Sequence, residues 1–346
     1  MTIQRFNKGE KEVSIVSPEE KSKVEAHIEV GLRPKLLVDY IGQDEVKANL
    51  GYLIEAARLR KEPLDHVLLH GPPGLGKTTL ANIISNEVGV SVRITSGPAI
   101  EKQGDIASII TNLKENDILF IDEIHRLKPA IEEILYSAME DFAIDLVIGK
   151  GPAAKTMRLK LPRFTLIGAT TKMSMLSSPL RDRFGAVYKL QFYSVDHIKQ
   201  IIRRSATILN INIADEAAEL LANSSRQTPR IANRLLKRVR DFAMVKGVLE
   251  VDAVVVKNAL AAMGIDYLGL DEGDRLILNA IIERFRGGPV GVGSIAAATS
   301  EDEGTIEDVY EPFLLQLGFM ERTSRGRIAT EKAFLHLGHN FVKNQE

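Results

Sequence analysis

His66-Val-Leu-Leu-His-Gly-Pro-Pro-Gly-Leu-Gly-Lys-Thr-Thr79 decides the fold. A short apolar run, Val67–Leu69, passes directly into G-x-x-x-x-G-K-T, and the following Thr79-Leu-Ala-Asn-Ile-Ile-Ser-Asn-Glu87 has helical apolar spacing. Strand, glycine-rich turn and helix in that order make a cradle for a polyphosphate. Gly71, Gly74 and Gly76 let the backbone turn tightly and aim several N–H groups at phosphate oxygens. Lys77 reaches the β- and γ-phosphates, Thr78 offers a hydroxyl to Mg²⁺, and the new helix presents its positive dipole end.

Farther along, Asp117-Ile-Leu-Phe-Ile-Asp122-Glu123 is an apolar strand ending in two carboxylates. Asp122 at the strand tip suits the Mg²⁺ water shell, and Glu123 suits orienting or deprotonating an attacking water. The same pair would also serve as an acidic helix cap. Two carboxylates behind a phosphate cradle point to hydrolysis by water, because transfer to another acceptor does not need the second one. His125 completes D-E-x-H, a position more often structural than catalytic. Phe164-Thr-Leu-Ile-Gly-Ala-Thr170-Thr171 ends another core strand in hydroxyls, placed to meet a γ-phosphate or the lytic water.

Ser178-Pro-Leu-Arg181-Asp-Arg183-Phe-Gly185 holds two arginines two residues apart. They could salt-bridge a surface, or reach the γ-phosphate held by a neighbouring subunit. Thr228-Pro-Arg230 opens a helix with Ile231, Leu235 and Val239 on one face and Arg234, Lys237 and Arg238 on a solvated basic face. Arg230 sits at the positive dipole end of that helix, which is locally unfavourable and asks for an anion.

The chain has 346 residues, enough for roughly two or three domains. Hydrophobic residues make up 45% and the net charge is −1, so any basic surface must be local. With no cysteine there is no disulfide or thiolate metal site, which fits a reducing compartment. No apolar run approaches the about 18 residues of a membrane span, and the N-terminus lacks the apolar core of a signal peptide. The expected location is the cytoplasm, with no membrane partner.

Four strand-like runs (Val67–Leu69, Ser91–Ile94, Ile118–Ile121 and Phe164–Gly168) alternate with helical stretches, which predicts an α/β domain with a mostly parallel sheet. Asp44–Lys61 reads as an amphipathic helix, preceded by an irregular lead-in containing Pro34. Phe142–Leu161 reads as a hairpin around Gly149–Pro152, inserted into the α/β pattern. From Ser194 strands are expected to stop, and His197–Leu209, Ala214–Ser225, Arg230–Val245 and Val251–Met263 read as helices. The last part reads as helices over Asp274–Arg284, Ser294–Thr299 and Thr305–Leu317, then a hairpin over Phe319–Ala329. The expected division is a tail over 1–25, an ATPase domain over 26–193 with its 142–161 insert, an all-α lid over 194–264, and a terminal unit over 265–346.

These motifs, in this order, resemble the AAA+ ATPases, and more narrowly the RuvB family of Holliday-junction branch-migration motors. The resemblance runs from about residue 30 to the C-terminus and rests on Leu32-Arg-Pro-Lys35, Tyr40-Ile-Gly-Gln43, the phosphate cradle, Asp122-Glu-Ile-His-Arg-Leu127, Ala138-Met-Glu-Asp141, Ser178–Gly185, Thr228–Leu236 and Thr305–Asp308. It implies that the C-terminal unit is a winged helix and that the protein is a homo-hexameric ATPase with Mg²⁺. Leu32, Arg33, Tyr40 and Ile41 would line the adenine site, and Gly74, Gly76, Lys77, Thr78 and Thr79 would hold phosphates and metal. Glu140, Asp141, Phe142 and Tyr193 would lie near nucleotide. Thr171 would be the first sensor, where most AAA+ proteins have Asn, Arg183 the finger acting in trans, and Arg230 the lid sensor.

The resemblance further implies that the hairpin docks on RuvA through Ile144, Leu146 and Ile148, and that RuvC joins the assembly. Arg322, Arg325 and Arg327 on the final hairpin would contact double-stranded or junction DNA. Residues 271–346 hold 8 Lys and Arg against 13 Asp and Glu, and Glu301–Glu303 stand where family members often carry a basic residue. DNA affinity would then depend on many wings acting together in a ring. A clamp-loader-like or protein-remodelling ATPase would share every nucleotide residue, and a sequence-specific regulator would have no use for Glu123.

Overall fold

The computed structural model describes residues 31–148 and 155–341. The expected tail and the expected turn Gly149–Pro152 lie outside these residues. The described residues form two compact units, one up to residue 197 and the other from residue 198.

In the first unit, α1 (Asp44–Arg60) buries Val46, Leu50, Ile54 and Ala57, the stripe its apolar spacing predicts. Five strands make one parallel sheet: β1 (Val67–His70), β2 (Val92–Ser96), β3 (Ile118–Asp122), β6 (Thr165–Thr170) and β7 (Ala186–Lys189). They lie side by side in the order β2-β3-β6-β1-β7. Between them run α2 (Lys77–Val88), α3 (Gln103–Thr111), α4 (Pro129–Glu140) and the short α5 (Ser178–Arg181). Leu68, Leu119, Ile121 and Leu166 join Ile106, Ile110, Ile131 and Leu135 in one core. Alternate strand residues Val67, Leu69, Phe120 and Ile167 are buried as well, so both sheet faces are covered. β7 escaped the sequence pattern because it is a four-residue edge strand with every second residue exposed.

The inserted hairpin is present, with β4 (Ala143–Ile148) antiparallel to β5 (Lys155–Lys160) and Ile144 opposite Leu159. His66 anchors its base: Nδ1 accepts from Leu166 N at 2.9 Å and Nε2 donates to Met139 O at 3.1 Å. The ring packs beside Phe142 and Phe164.

The second unit opens with α6 (Val195–Ile208), α7 (Asp215–Asn223), α8 (Pro229–Lys246) and α9 (Ala253–Ala262). Strands do not stop there as expected: β8 (Asn212–Ile213) and β9 (Glu250–Val251) pair in parallel. Two residues each are too short for an alternating pattern. Nor is the basic face of α8 wholly solvated, for Lys237 is buried. Helices α7 and α9 both pack on α8, so burial extends past a single stripe.

The terminal part has α10 (Glu272–Asn279), which runs on in wider turns to Arg284, and α11 (Val292–Thr299). The single helix expected over Thr305–Leu317 is instead α12 (Glu303–Thr305), a wide-turn segment Ile306–Tyr310, and α13 (Glu311–Gln316). Pro312 explains the loosening, since its ring crowds the preceding turn and it has no N–H to donate. β10 (Met320–Thr323) and β11 (Gly326–Ala329) form the wing, followed by α14 (Glu331–His336).

A buried charge cluster ties the helical part to the winged part. Arg226, only 4% exposed, pairs with Asp274 and, at 3.2 Å, with Asp271. Its guanidinium lies 4.7 Å over the Phe313 ring, and its Nε donates to Gly269 O at 3.1 Å. Gln227 bonds Gln316. Both Arg226 and Gln227 have positive φ, a costly backbone choice that these partners hold in place.

Arg226→Ala leaves two buried carboxylates without their cation and is expected to cost about 3–5 kcal/mol in chemical denaturation. Replacing Arg226 and Asp274 together by Met and Leu should recover much of that loss. His66 gives a second expectation. Burial, ahead of all other influences, holds its pKa below the ordinary value, because the charged ring loses its hydration there; the neutral ring also accepts from Leu166 N. Its stabilising contribution is therefore complete above about pH 6.5 and is lost as pH falls toward the depressed folded value. Urea midpoints should drop between about pH 8 and about pH 5.5, and drop less in His66→Gln.

Candidate nucleotide site and wing

The phosphate cradle depends on glycine at two close approaches. Gly71, at φ 143, would bring a Cβ to 2.5 Å from Leu190 O, and Gly76, at φ 98, to 2.9 Å from the Tyr40 hydroxyl. Gly74 has φ 80. The first turn of α2 has no acidic residue and no side-chain cap, so its N–H groups face the loop. Lys77 is buried, and its ammonium donates to Gly71 O at 2.7 Å and Pro72 O at 2.8 Å. A buried cation turned toward backbone carbonyls at the loop mouth suits a group of several negative charges. Thr78 and Thr79 follow in the same first turn.

Two tyrosines brace the loop from outside. Tyr40 donates to Leu75 O at 3.3 Å and Tyr193 donates to the Tyr40 hydroxyl at 2.9 Å. Burial pushes the Tyr193 phenol up to about 12 and Tyr40 well above its usual value, so both stay neutral donors. Lys47 Nζ donates to Tyr40 O at 2.7 Å, and Gln43 exchanges two hydrogen bonds with the Gln191 backbone. Leu32 is buried, while Arg33 and Ile41 are half-buried. The expected adenine-side residues thus sit on the same stretch that clamps the loop.

Strand register brings the remaining groups to one edge. His70 is level with Thr170, Ile121 with Gly168 and Asp122 with Ser96, so β1, β3 and β6 end together. Gly71 N donates to Thr170 O at 3.2 Å. Asp122 accepts from Glu123 N at 2.9 Å, and Glu123 has a left-handed backbone with φ 47. A Cβ on Gly97 would lie 2.4 Å from Glu123 O, so Gly97 makes room for that turn. Sequence reasoning missed Gly97, although a Gly-Pro step after a strand marks such a turn. The Glu123 carboxylate meets Arg126 at 3.1 Å in a half-exposed pair, which adds little and exchanges easily. His125 is buried with Nδ1 2.9 Å from Thr170 Oγ1, and Thr170 also accepts from Lys172 N at 3.0 Å. His125 and Thr170 form a brace between strand ends, and Thr171 is the exposed hydroxyl of the two.

Glu140, Asp141 and Phe142 close α4 and lead into β4, and each has a partner outside the cradle. Glu140 meets Arg183 at 2.9 Å, Asp141 meets Arg158 at 2.6 Å, and the Phe142 ring lies edge-on to Phe164. Arg183 also donates to Pro179 O at 2.6 Å and lies 4.7 Å over the Tyr136 ring. On the hairpin, Ile144 is buried in the core at 1% exposure, which removes it as a contact for a partner protein. Leu146 and Ile148 follow Ile144 at every second position of β4, and Met157, opposite Leu146, is exposed. In the second unit Arg230 is the second residue of α8, behind Pro229.

The wing corrects another expectation. Arg322 and Arg327 stand directly opposite each other, where two cations repel. Glu311, 1% exposed, and Glu307 sit between them. Arg327 meets Glu311 at 2.5 Å and Glu307 at 2.7 Å with its side chain 11% exposed, so it is a structural cation rather than one open to phosphate. Arg322 bonds Glu311 and keeps half its surface in solvent. Arg325 is exposed at the tip. Asp302, in the acidic run Glu301–Glu303, accepts from Thr305 N and caps α12.

No helix among the described residues is long and apolar enough to cross a membrane, and these residues hold no cluster of His, Cys, Asp and Glu suited to a metal on its own.

Comparison with known proteins agrees along the whole described chain. The family model for the Holliday junction DNA helicase RuvB P-loop domain matches residues 32–190, the RuvB AAA lid domain 193–266, and the RuvB C-terminal winged helix domain 267–338. The Holliday junction branch migration complex subunit RuvB of Chloroflexus aurantiacus is 57% identical over 324 residues, 94% of this chain and 92% of that protein. The solved Thermotoga maritima RuvB Holliday junction branch migration motor is 51% identical with a TM-score of 0.83, covering 90% of this chain and 100% of that one. A mutant of the same Thermotoga protein matches with a TM-score of 0.84. An α/β P-loop domain, a helical lid and a winged helix in that order make this chain a member of the RuvB family of AAA+ ATPases.

Proposed function

We propose that this chain is an ATP-hydrolysing motor that drives branch migration of Holliday junctions in recombination and repair. It is a P-loop ATPase by family, and the observation that carries the mechanism is the shared edge where β1, β3 and β6 end. Ligands of open parallel sheets lie at the carboxyl ends of the strands. The cradle follows β1, Asp122 ends β3 with Glu123 after it, and Thr171 follows β6, which supports placing the nucleotide at that edge. The matched relatives are branch-migration subunits rather than clamp loaders.

Lys77 exchanges the Gly71 and Pro72 carbonyls for the β- and γ-phosphates of ATP. One hydroxyl and one carboxylate, Thr78 and Asp122, leave room for the waters and phosphate oxygens that Mg²⁺ favours, and they would hold it there. Bound Mg²⁺ supplies positive charge against the phosphates. Glu123 leaves its weak Arg126 pair to orient the attacking water and take its proton. Thr171 reads the γ-phosphate end, Arg230 is the sensor carried by the lid, and Arg183 serves the site of the adjoining copy in a homo-hexamer. Tyr40 and Tyr193, with Leu32, Arg33 and Ile41, bound the adenine side. Glu140–Phe142 belong with the finger edge.

The chain divides at about residues 26–193, 194–264 and 265–346, a reading supported by family-model spans of 32–190, 193–266 and 267–338. The partners are double-stranded junction DNA, RuvA through the 142–161 hairpin, and RuvC, in the cytoplasm. Leu146 and Ile148 stay as expected apolar contacts of the hairpin, and exposed Met157 takes the place of Ile144.

ATPase and branch-migration assays on a synthetic four-way junction, with and without RuvA, should show ATP-dependent strand exchange. Lys77→Ala should abolish both nucleotide binding and migration; normal ATP affinity in that variant would refute the cradle assignment. On the wing, Arg325→Ala should lower the salt slope of DNA binding by about one. Arg327→Ala should instead cost about 3 kcal/mol of stability, because Glu311 keeps only Arg322 as a cation. An Arg327→Ala protein as stable as the parent but with a reduced slope would return that guanidinium to the DNA.

A further inference from the structure

Helix α4 carries Glu132, Tyr136 and Glu140 at successive four-residue steps, on one face. All three face the segment that holds Arg183. Glu132, 6% exposed, accepts from Ser177 Oγ at 2.5 Å and lies 3.2 Å from the Tyr136 hydroxyl. Ser177 in turn lies 3.0 Å from that hydroxyl and caps α5 by accepting from Leu180 N. One buried carboxylate therefore fixes both the tyrosine ring and the start of the loop that ends in Arg183. The guanidinium rests 4.7 Å over that ring, its Nη1 on Pro179 O and its Nη2 on Glu140. Its Nε is shut away from solvent with no hydrogen-bond partner.

A guanidinium that must act across a subunit boundary gains nothing from charge unless its direction is set beforehand. Arg183 has long flexible methylenes and only one backbone anchor, so the flat face of Tyr136 sets the plane of the fork. Glu140 is more than half exposed and its partner less so, an asymmetry that suits exchange of the carboxylate for a phosphate. We propose that Tyr136 is the positioning residue for Arg183, with Glu132 and Ser177 as its anchor and Glu140 as the counter-ion that Arg183 leaves on meeting the neighbour's nucleotide. This rests on Arg183 acting in trans.

The test uses the full chain assembled on DNA, with Tyr136→Met, which keeps bulk and loses the π face, Tyr136→Phe, which keeps the ring, and Arg183→Ala as reference. Tyr136→Met should lower kcat by about tenfold to a hundredfold, the usual loss for a catalytic group displaced by about 1 Å, with KM and ADP affinity nearly unchanged. Its affinity for ADP with aluminium fluoride, a mimic of the transferring group, should fall as it does in Arg183→Ala. Tyr136→Phe should lie much closer to the parent. Mixing Tyr136→Met with Glu123→Gln subunits should restore turnover, because the second supplies an intact finger to the first. Normal kcat in Tyr136→Met beside an impaired Arg183→Ala overturns the platform, as does a defect that mixing never rescues. Normal turnover in Arg183→Ala overturns the finger itself. Should Tyr136→Met not fold, Glu132→Gln gives the reading: a smaller loss with the same rescue supports the proposal, and parental turnover defeats it.

Discussion

The parallel pairing of β1 with β6 is the constraint on which the nucleotide end of this molecule depends. It sets His70 level with Thr170, joins Gly71 N to Thr170 O, and so fixes the start of the phosphate cradle to the strand that ends at Thr170. On the other side of β6, its pairing with β3 fixes how far Asp122 and Glu123 project. A slip of one residue in either ladder would turn every side chain to the opposite face. Because both faces are buried, the core resists such a slip. The chemistry is thus held by apolar packing remote from it.

The cradle was legible in the sequence because its code is local: three glycines, a lysine and a threonine at fixed spacing need no knowledge of the rest of the chain. The strand order was not, since β1 lies between two strands that follow it by about a hundred residues or more. By their residues alone Thr170 and Thr171 are a pair of hydroxyls, and only the family resemblance singles out Thr171. Which one is buried depends on where β6 ends, and only the His125 contact settles that. Ile144 failed as a partner contact for a related reason, since alternation along a strand gives two faces and does not say which one the core takes.

The wing teaches a similar point about charge. Three arginines near a turn read as a phosphate contact, yet two of them face each other across the hairpin and need an anion of their own. Glu307 and Glu311, four residues apart, supply it. The information was present in the sequence as an acidic pair one helical turn apart, but only the register of β10 on β11 connects the two sets. The acidic balance of the terminal region follows in part from this internal pairing.

The joint made by Arg226 bears on where this chain can be cut. A protein ending at Gly264 would retain a guanidinium built to be covered by Asp271, Asp274 and Phe313, all of which come from the far side of that boundary. Shuffling the winged part onto another helical lid would strand the same carboxylates. The two regions therefore depend on each other for their buried charges, whereas the ATPase sheet closes its core without them.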